Sequence, residues 1–188
     1  MSTTNTLHEQ PVVPDFGEEA DTGRKLVIIC SKGNLDMAYP ALVMANAALG
    51  EGIETHLFFT FWGFDMINKS TMQDLKFTPV GNTAMHIQQA GSVRSGWRWK
   101  SMPQSLTALP GMTALATRMM RKQIADLDIP TVPDMLEQID AMGGHLWACK
   151  MSFDMQHLTE NDLYEGVNGV ISATDFMDLS EGGQLLFV

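Results

Sequence analysis

The sequence predicts an α/β protein: a single domain built on an open, mostly parallel five-stranded sheet with helices on both faces. Three observations predict it. Short β-branched and apolar runs recur along the chain. Segments carrying a helical apolar stripe separate them, and Gly or Pro marks the changeovers. A continuous apolar run suits a strand buried on both faces, which is what a parallel sheet imposes. The length of 188 residues agrees with one domain able to bury a full core without staples.

Each element follows in order. Residues 1–23 contain five acids (Glu9, Asp15, Glu18, Glu19, Asp21), no base and no hydrophobic period. They read as a disordered acidic tail ahead of a domain at 24–188. Lys25-Leu-Val-Ile-Ile-Cys30 is the first strand. Ser31 to Asn34 form a turn, and a helix follows with Leu35, Ala38, Leu42, Ala45 and Leu49 on one stripe. Asp36 is the expected N-cap, which puts Pro40 in the first turn, where its missing N–H costs little. Gly50 and Gly52 end that helix, and residues 54–60 are the second strand.

Residues 65–123 break the rhythm. Rich in Met, with several Gly and Pro, they read as a loop-rich insertion that passes into a helix over about 113–126. Pro133 then opens a helix with Leu136, Ile139 and Met142 facing inward, closed by Gly143-Gly144. His145 to Cys149 is the third strand. Thr159 and Asp162 form a capping box for the next helix. Residues 169–172 are the fourth strand, Thr174 caps a short helix, and 184–188 form the fifth strand.

Composition excludes several classes. No apolar run approaches the roughly 18 residues needed to span a membrane. The first 23 residues lack both the basic and the apolar segments of a secretory signal. With only two cysteines, Cys30 and Cys149, a disulfide framework is not expected, and the expected location is the cytoplasm. The net charge is −10; without the tail, 17 acids face 12 bases, so nucleic acid is not an expected partner. Two cysteines cannot make a zinc site alone, neither has a Cys or His within the spacing of a zinc knuckle, and no Gly-x-Gly-x-x-Gly or P-loop is present. No metal and no cofactor is expected.

The chemistry left is that of thiols. In doubly wound sheets ligands bind beyond the carboxyl ends of the strands, at the switch point. Cys30 ends the first strand and Cys149 the third. With a strand order of 2-1-3-4-5 these strands would be neighbours. Their sulfurs would share one cleft, within roughly 10 Å, or two strand spacings. A lone strand-end Cys is more often a buried small hydrophobe; two at equivalent places favour function. Lys32 and Lys150 stand close in sequence, and a nearby cation favours thiolate. Ser31-Lys32-Gly33 at a helix start could cradle a small anion. His56 and His145, in or beside strands, read as structural, and no Cys-His-Asp order is evident.

Cys30-Ser-Lys-Gly-Asn-Leu-Asp-Met-Ala-Tyr-Pro-Ala41, followed by Phe58-Phe-Thr-Phe-Trp-Gly63, resembles the DsrE/DsrF/DsrH-like family, in the branch often called peroxiredoxin-like. Pro110-Gly-Met112 and Ala148-Cys149-Lys-Met-Ser152 fit the same resemblance, which covers roughly residues 24–188. It implies sulfur relay by a cytoplasmic homo-oligomer. Sulfane sulfur is carried as a persulfide at the position of Cys149 and exchanged with small TusA-like carriers or rhodanese-like proteins. It implies a second cysteine at Cys30, and a pocket to which Lys32, Gly33, Lys150 and Ser152 contribute. There is no peroxidatic Thr-x-x-Cys motif.

A second reading is a non-catalytic regulatory or scaffold subunit that binds a partner through the insertion. Residues 75–125 contain no acid but seven bases (Lys76, Arg94, Arg98, Lys100, Arg118, Arg121, Lys122), together with Trp97 and Trp99. Trp and Arg are the residues enriched at interface hot spots.

Overall fold

The structure, a computed structural model, describes residues 23–82 and 103–188. Its sheet contains β1 (Lys25–Cys30), β2 (Glu54–Phe59), β3 (His145–Cys149), β4 (Val167–Ile171) and β5 (Gln184–Phe187). The helices are α1 (Leu35–Gly50), α2 (Gln104–Thr107), α3 (Met112–Asp126), α4 (Val132–Ala141), α5 (Lys150–Met155) and α6 (Ala173–Leu179). A 3₁₀ segment, Phe61–Met66, follows β2. All four strand pairings are parallel. The α/β class read from the sequence therefore stands, with a sheet that is wholly rather than mostly parallel.

The strand order does not. It is β4-β3-β2-β1-β5, so β2 lies between β1 and β3 and the expected 2-1-3-4-5 order is wrong. Four strands are laid down in one direction from β1, and only the last connection returns across the sheet to place β5 beside β1. Right-handed crossovers then put α1, α4 and α5 on one face and α6 on the other. Ring stacking confirms the side taken by α6: Phe176 lies on Phe58 with centroids 4.1 Å apart.

Register sorts the side chains between the faces. Cys30 pairs with Phe59, and Phe59 with Ala148. Partners in a parallel ladder point the same way, and neighbours along a strand point opposite ways. Ile28, Cys30, Leu57, Phe59, Leu146 and Ala148 thus form the inner face, all buried. Val27, Ile29, His56, Phe58, His145, Trp147 and Cys149 share the outer face, where β5 leaves Leu185 and Phe187 exposed.

The inner face is closed by small residues. Ala38, Ala41, Leu42 and Ala45 of α1 are fully buried, as are Leu136 and Ile139 of α4. Gly144 ends the α4 connection where a side chain would press within 2.6 Å of Ile139. Thr131 and Asp134 cap α4 reciprocally, and Ser172 and Asp175 do the same for α6.

Several local expectations change. Asn34, not Asp36, is the N-cap of α1, so Pro40 lies inside the helix rather than in its first turn. Met142 follows α4 and is exposed. Thr159 and Asp162 form their capping box, but around one 3₁₀ turn only. Ser172, not Thr174, caps α6. The β3–β4 crossover is α5, too short for a helical stripe to show in sequence. The helix expected over about 113–126 is α3.

Candidate functional site at the carboxyl edge of the sheet

β1, β2 and β3 end side by side, and three turns meet there. Cys30 closes β1. Its carbonyl accepts the Thr60 N–H at 3.0 Å, carrying the ladder one step beyond the strands. The next residue, Ser31, gives both its N–H (2.8 Å) and its hydroxyl (2.9 Å) to the Val188 carbonyl. The Cys30 thiol is on the inner face and wholly enclosed. Burial pushes it up to about 12, which keeps it protonated at physiological pH.

Cys149 closes β3 and is at once the N-cap of α5. It lies on the outer face with Trp147 and Phe58, and is 3% exposed. Its neighbour in β4 is Ile171. That ladder carries a bulge at Asn168, whose side-chain oxygen accepts the Leu146 N–H at 2.6 Å.

The two thiols therefore share the sheet edge but not a cleft. With β2 between them, their backbones are about 9.6 Å apart across the strands, and their side chains leave opposite faces. Bridging needs Cα atoms closer than about 7 Å, and both cysteines are free.

The turn after β2 links the two strand ends. Phe61 adopts a left-handed backbone, φ 47°, which is costly for a bulky residue. Side chains of α5 hold it there. The Phe61 N–H donates to Ser152 Oγ at 2.8 Å, and Gln156 Nε2 donates to the Phe61 carbonyl at 2.9 Å. Ser152 Oγ also meets Thr60 Oγ1 at 3.2 Å and is fully buried. On the other side, Gly63 packs directly against the Cys30 carbonyl, and Gly33 against the Trp62 carbonyl and the Asp65 side chain. The aromatic pair Phe61 and Trp62 projects from this clamp, 45% and 65% exposed.

Of the residues singled out in the sequence, Cys30, Cys149, Gly33 and Ser152 all reach this edge. Ser152 positions the turn, and Gly33 permits a close approach of two backbones. Lys150 is exposed and pairs with Asp154 at 2.9 Å, four residues on. Lys32 is exposed, with no side-chain partner among the described residues. Of the turn amides, Ser31 N–H goes to the Val188 carbonyl and Leu35 N–H to the Lys76 carbonyl. Sequence reasoning missed the Phe61–Gln156 clamp. Phe61-Trp62-Gly63 was visible as a motif, but only the fold brings α5 against it. Arg94, Arg98, Lys100, Trp97 and Trp99 of the insertion, and the 1–22 tail, lie outside the described residues.

The outer face also holds His56, buried and structural, as its strand position suggested. Trp147 Nε1 donates to its Nδ1 at 3.2 Å, its Nε2 reaches Glu54 at 2.8 Å, and its ring stacks on His145 at 4.7 Å. Burial holds its pKa below the usual value, with the Glu54 hydrogen bond opposing. No group of three or more His, Cys, Asp or Glu able to hold a metal occurs among the described residues.

Architecture and site together define an open, all-parallel α/β protein with free thiols at the carboxyl ends of its strands. The chain belongs to the DsrE/DsrF/DrsH-like family, whose family model matches residues 22–187. It is 29% identical over 165 residues to the "Sulfur carrier protein DsrE2" of Allochromatium vinosum, covering 88% of this chain and 98% of that protein. It is 23% identical over 165 residues to YrkE of Bacillus subtilis, covering 88% and 97%. Among solved structures it is similar in fold to MTH1491 from Methanobacterium thermoautotrophicum, with a TM-score of 0.50, 9% identity, and coverage of 88% of this chain and 99% of that one.

Proposed function

We propose that this protein relays sulfane sulfur as a persulfide on Cys149. The reading is carried by the contrast between two strand-end thiols: Cys30 is held protonated inside the core, while Cys149 starts a helix at the opposite face of the sheet. The near full-length similarity to a sulfur carrier protein supports it. In the loading step the Cys149 thiolate attacks the outer sulfur of a donor persulfide, R–S–SH. A new S–S bond forms on Cys149 as the donor S–S bond breaks, and the donor leaves as the thiolate R–S⁻. Discharge to an acceptor thiolate is the reverse, and neither step needs an oxidant. Because Cys149 is 3% exposed, both steps require its cover to open locally.

The partners in this reading are TusA-like or rhodanese-like carriers in the cytoplasm. Among the described residues no helix is long and apolar enough to cross a membrane. A homo-oligomer is part of the reading, supported by the exposed Leu185 and Phe187. Light scattering tests it, and a monomer mass for the intact protein would remove it.

The experiment is incubation with polysulfide, then intact-mass analysis. Wild type and Cys30→Ser should gain sulfur, and Cys149→Ser should not. Equal loading of Cys149→Ser would overturn the proposal and favour the scaffold reading.

A further inference from the structure

The outer layer of the sheet carries a buried polar chain whose protons are set by geometry. The Trp147 indole can only donate, so His56 Nδ1, 3.2 Å from Trp147 Nε1, must accept. The proton of the neutral His56 ring therefore sits on Nε2, facing Glu54 Oε1 at 2.8 Å. The indole lies across the layer. Its nitrogen is anchored on β2, and its far edge reaches β4, where a side chain at Gly169 would begin 3.7 Å from Trp147 Cζ3. Cys149 follows two residues later on the same face of β3, beside Ile171, just as Trp147 lies beside Gly169.

A second proton on His56 undoes this arrangement on one side only. Imidazolium donates from both nitrogens. Glu54 still accepts from Nε2, and the bond is then charge-assisted. At Nδ1 two N–H groups point at each other, and the indole loses its acceptor where His56 is only 4% exposed. An unmade buried hydrogen bond is costly. Two further groups face this pair: His145 of β3, stacked on His56 at 4.7 Å, and Lys25 of β1, 3.8 Å from Glu54. Both oppose another positive charge on the ring, as burial does first of all. On α6, which packs over this layer, Asp175 is held by Ser172 at the helix cap and Asp178 is exposed.

We infer that His56 is an acid-released latch on Trp147: by taking up a proton at Nδ1 it ejects the indole N–H and loosens the outer layer beside Cys149. A ring whose folded pKa is held below 6.5 keeps the layer whole above that pH and gives way as the pH falls toward the folded value. The latch stands whether or not Cys149 carries sulfur.

The test is an NMR titration of the full-length protein from about pH 8 to about pH 5, across the histidine range. It follows the indole N–H resonance of Trp147, assigned by its loss in Trp147→Phe. That resonance should shift with a midpoint below 6.5. A resonance that stays put in the wild type would overturn the latch. So would the same shift in His56→Gln, whose amide oxygen can accept the indole N–H but cannot titrate. The second reading is the rate at which Cys149 reacts with 4,4′-dithiodipyridine, followed by peptide mass. Each rate is divided by that of His56→Gln at the same pH, so that thiol ionisation cancels. Should His56→Gln not fold, Trp147→Phe, which lacks the indole N–H, is the reference for the rates. The ratio should rise by about fivefold or more on acidification. A constant ratio would overturn the coupling of the latch to the layer beside Cys149.

Discussion

The end of β1 and the end of β3 are chemically alike in sequence: an apolar strand, a cysteine, and a lysine one or two residues on. In the fold they are opposites. The β1 end is scaffold. Its thiol is enclosed on the inner face, its carbonyl extends the ladder to Thr60, and Gly63 packs on that carbonyl with no room for a side chain. The β3 end turns straight into α5, and its thiol lies on the face that α6 covers only in part. One residue of register separates them, and that single step sends the two sulfurs to different faces. In the proposed relay, the layer a strand-end cysteine faces, and not the strand it ends, separates the carrier thiol from the buried one.

The largest effect expected from breaking this contrast is at Gly63. A methyl group there meets the Cys30 carbonyl, which is backbone and cannot turn aside. Gly63→Ala should cost about 3 kcal/mol in urea unfolding, the upper part of the range for overpacking. A loss below about 1 kcal/mol would show that the β1 end is pliant.

Alkaline pH sharpens the comparison next. The unfolded chain releases the Cys30 proton near 9.0, while the fold keeps it to about 12. The folded form then binds more protons than the unfolded between those values. Stability is full below pH 9 and falls through that window, by on the order of 2–3 kcal/mol at pH 11. Tyr39 and Tyr164, also raised by burial, add to the slope in every variant. The difference between Cys30→Ala and wild type is therefore the reading. Cys30→Ala should lose part of the slope, and an unchanged slope would show that the fold does not hold the Cys30 proton. By the same shift, only about one Cys30 in ten thousand is thiolate at pH 8. Alkylation of Cys30 should thus wait for unfolding.

The smallest effect is at the clamp that joins the two ends. Ser152→Ala removes the acceptor that holds the Phe61 N–H and should cost about 1–2 kcal/mol. It should also change the rate of polysulfide loading at Cys149, because α5 and the turn then part more easily. An unchanged rate, measured by mass, would confine Ser152 to stability.

Much of this was legible in the sequence. The buried runs of β1 and β3 and the small-residue stripe of α1 are local patterns, and they fixed the class and the strand positions. Ends were less legible. Asp36 and Thr174 compete with Asn34 and Ser172 as caps at neighbouring positions, and only backbone geometry chooses between them. The α5 helix was missed because Lys-Met-Ser-Phe-Asp-Met is under two turns long, too short to repeat an apolar period.

The sequence by itself determined an α/β domain whose two cysteines end parallel strands at one edge of a sheet, since strand runs and their ends are written in contiguous residues. Only the tertiary structure decided that β2 lies between those strands, that the thiols face opposite layers, and that Ser152 and Gln156 hold Phe61 in a left-handed turn. Strand order and register come from pairing between residues 25–30, 54–59 and 145–149, and no local pattern carries the free energy that selects among such long-range pairings.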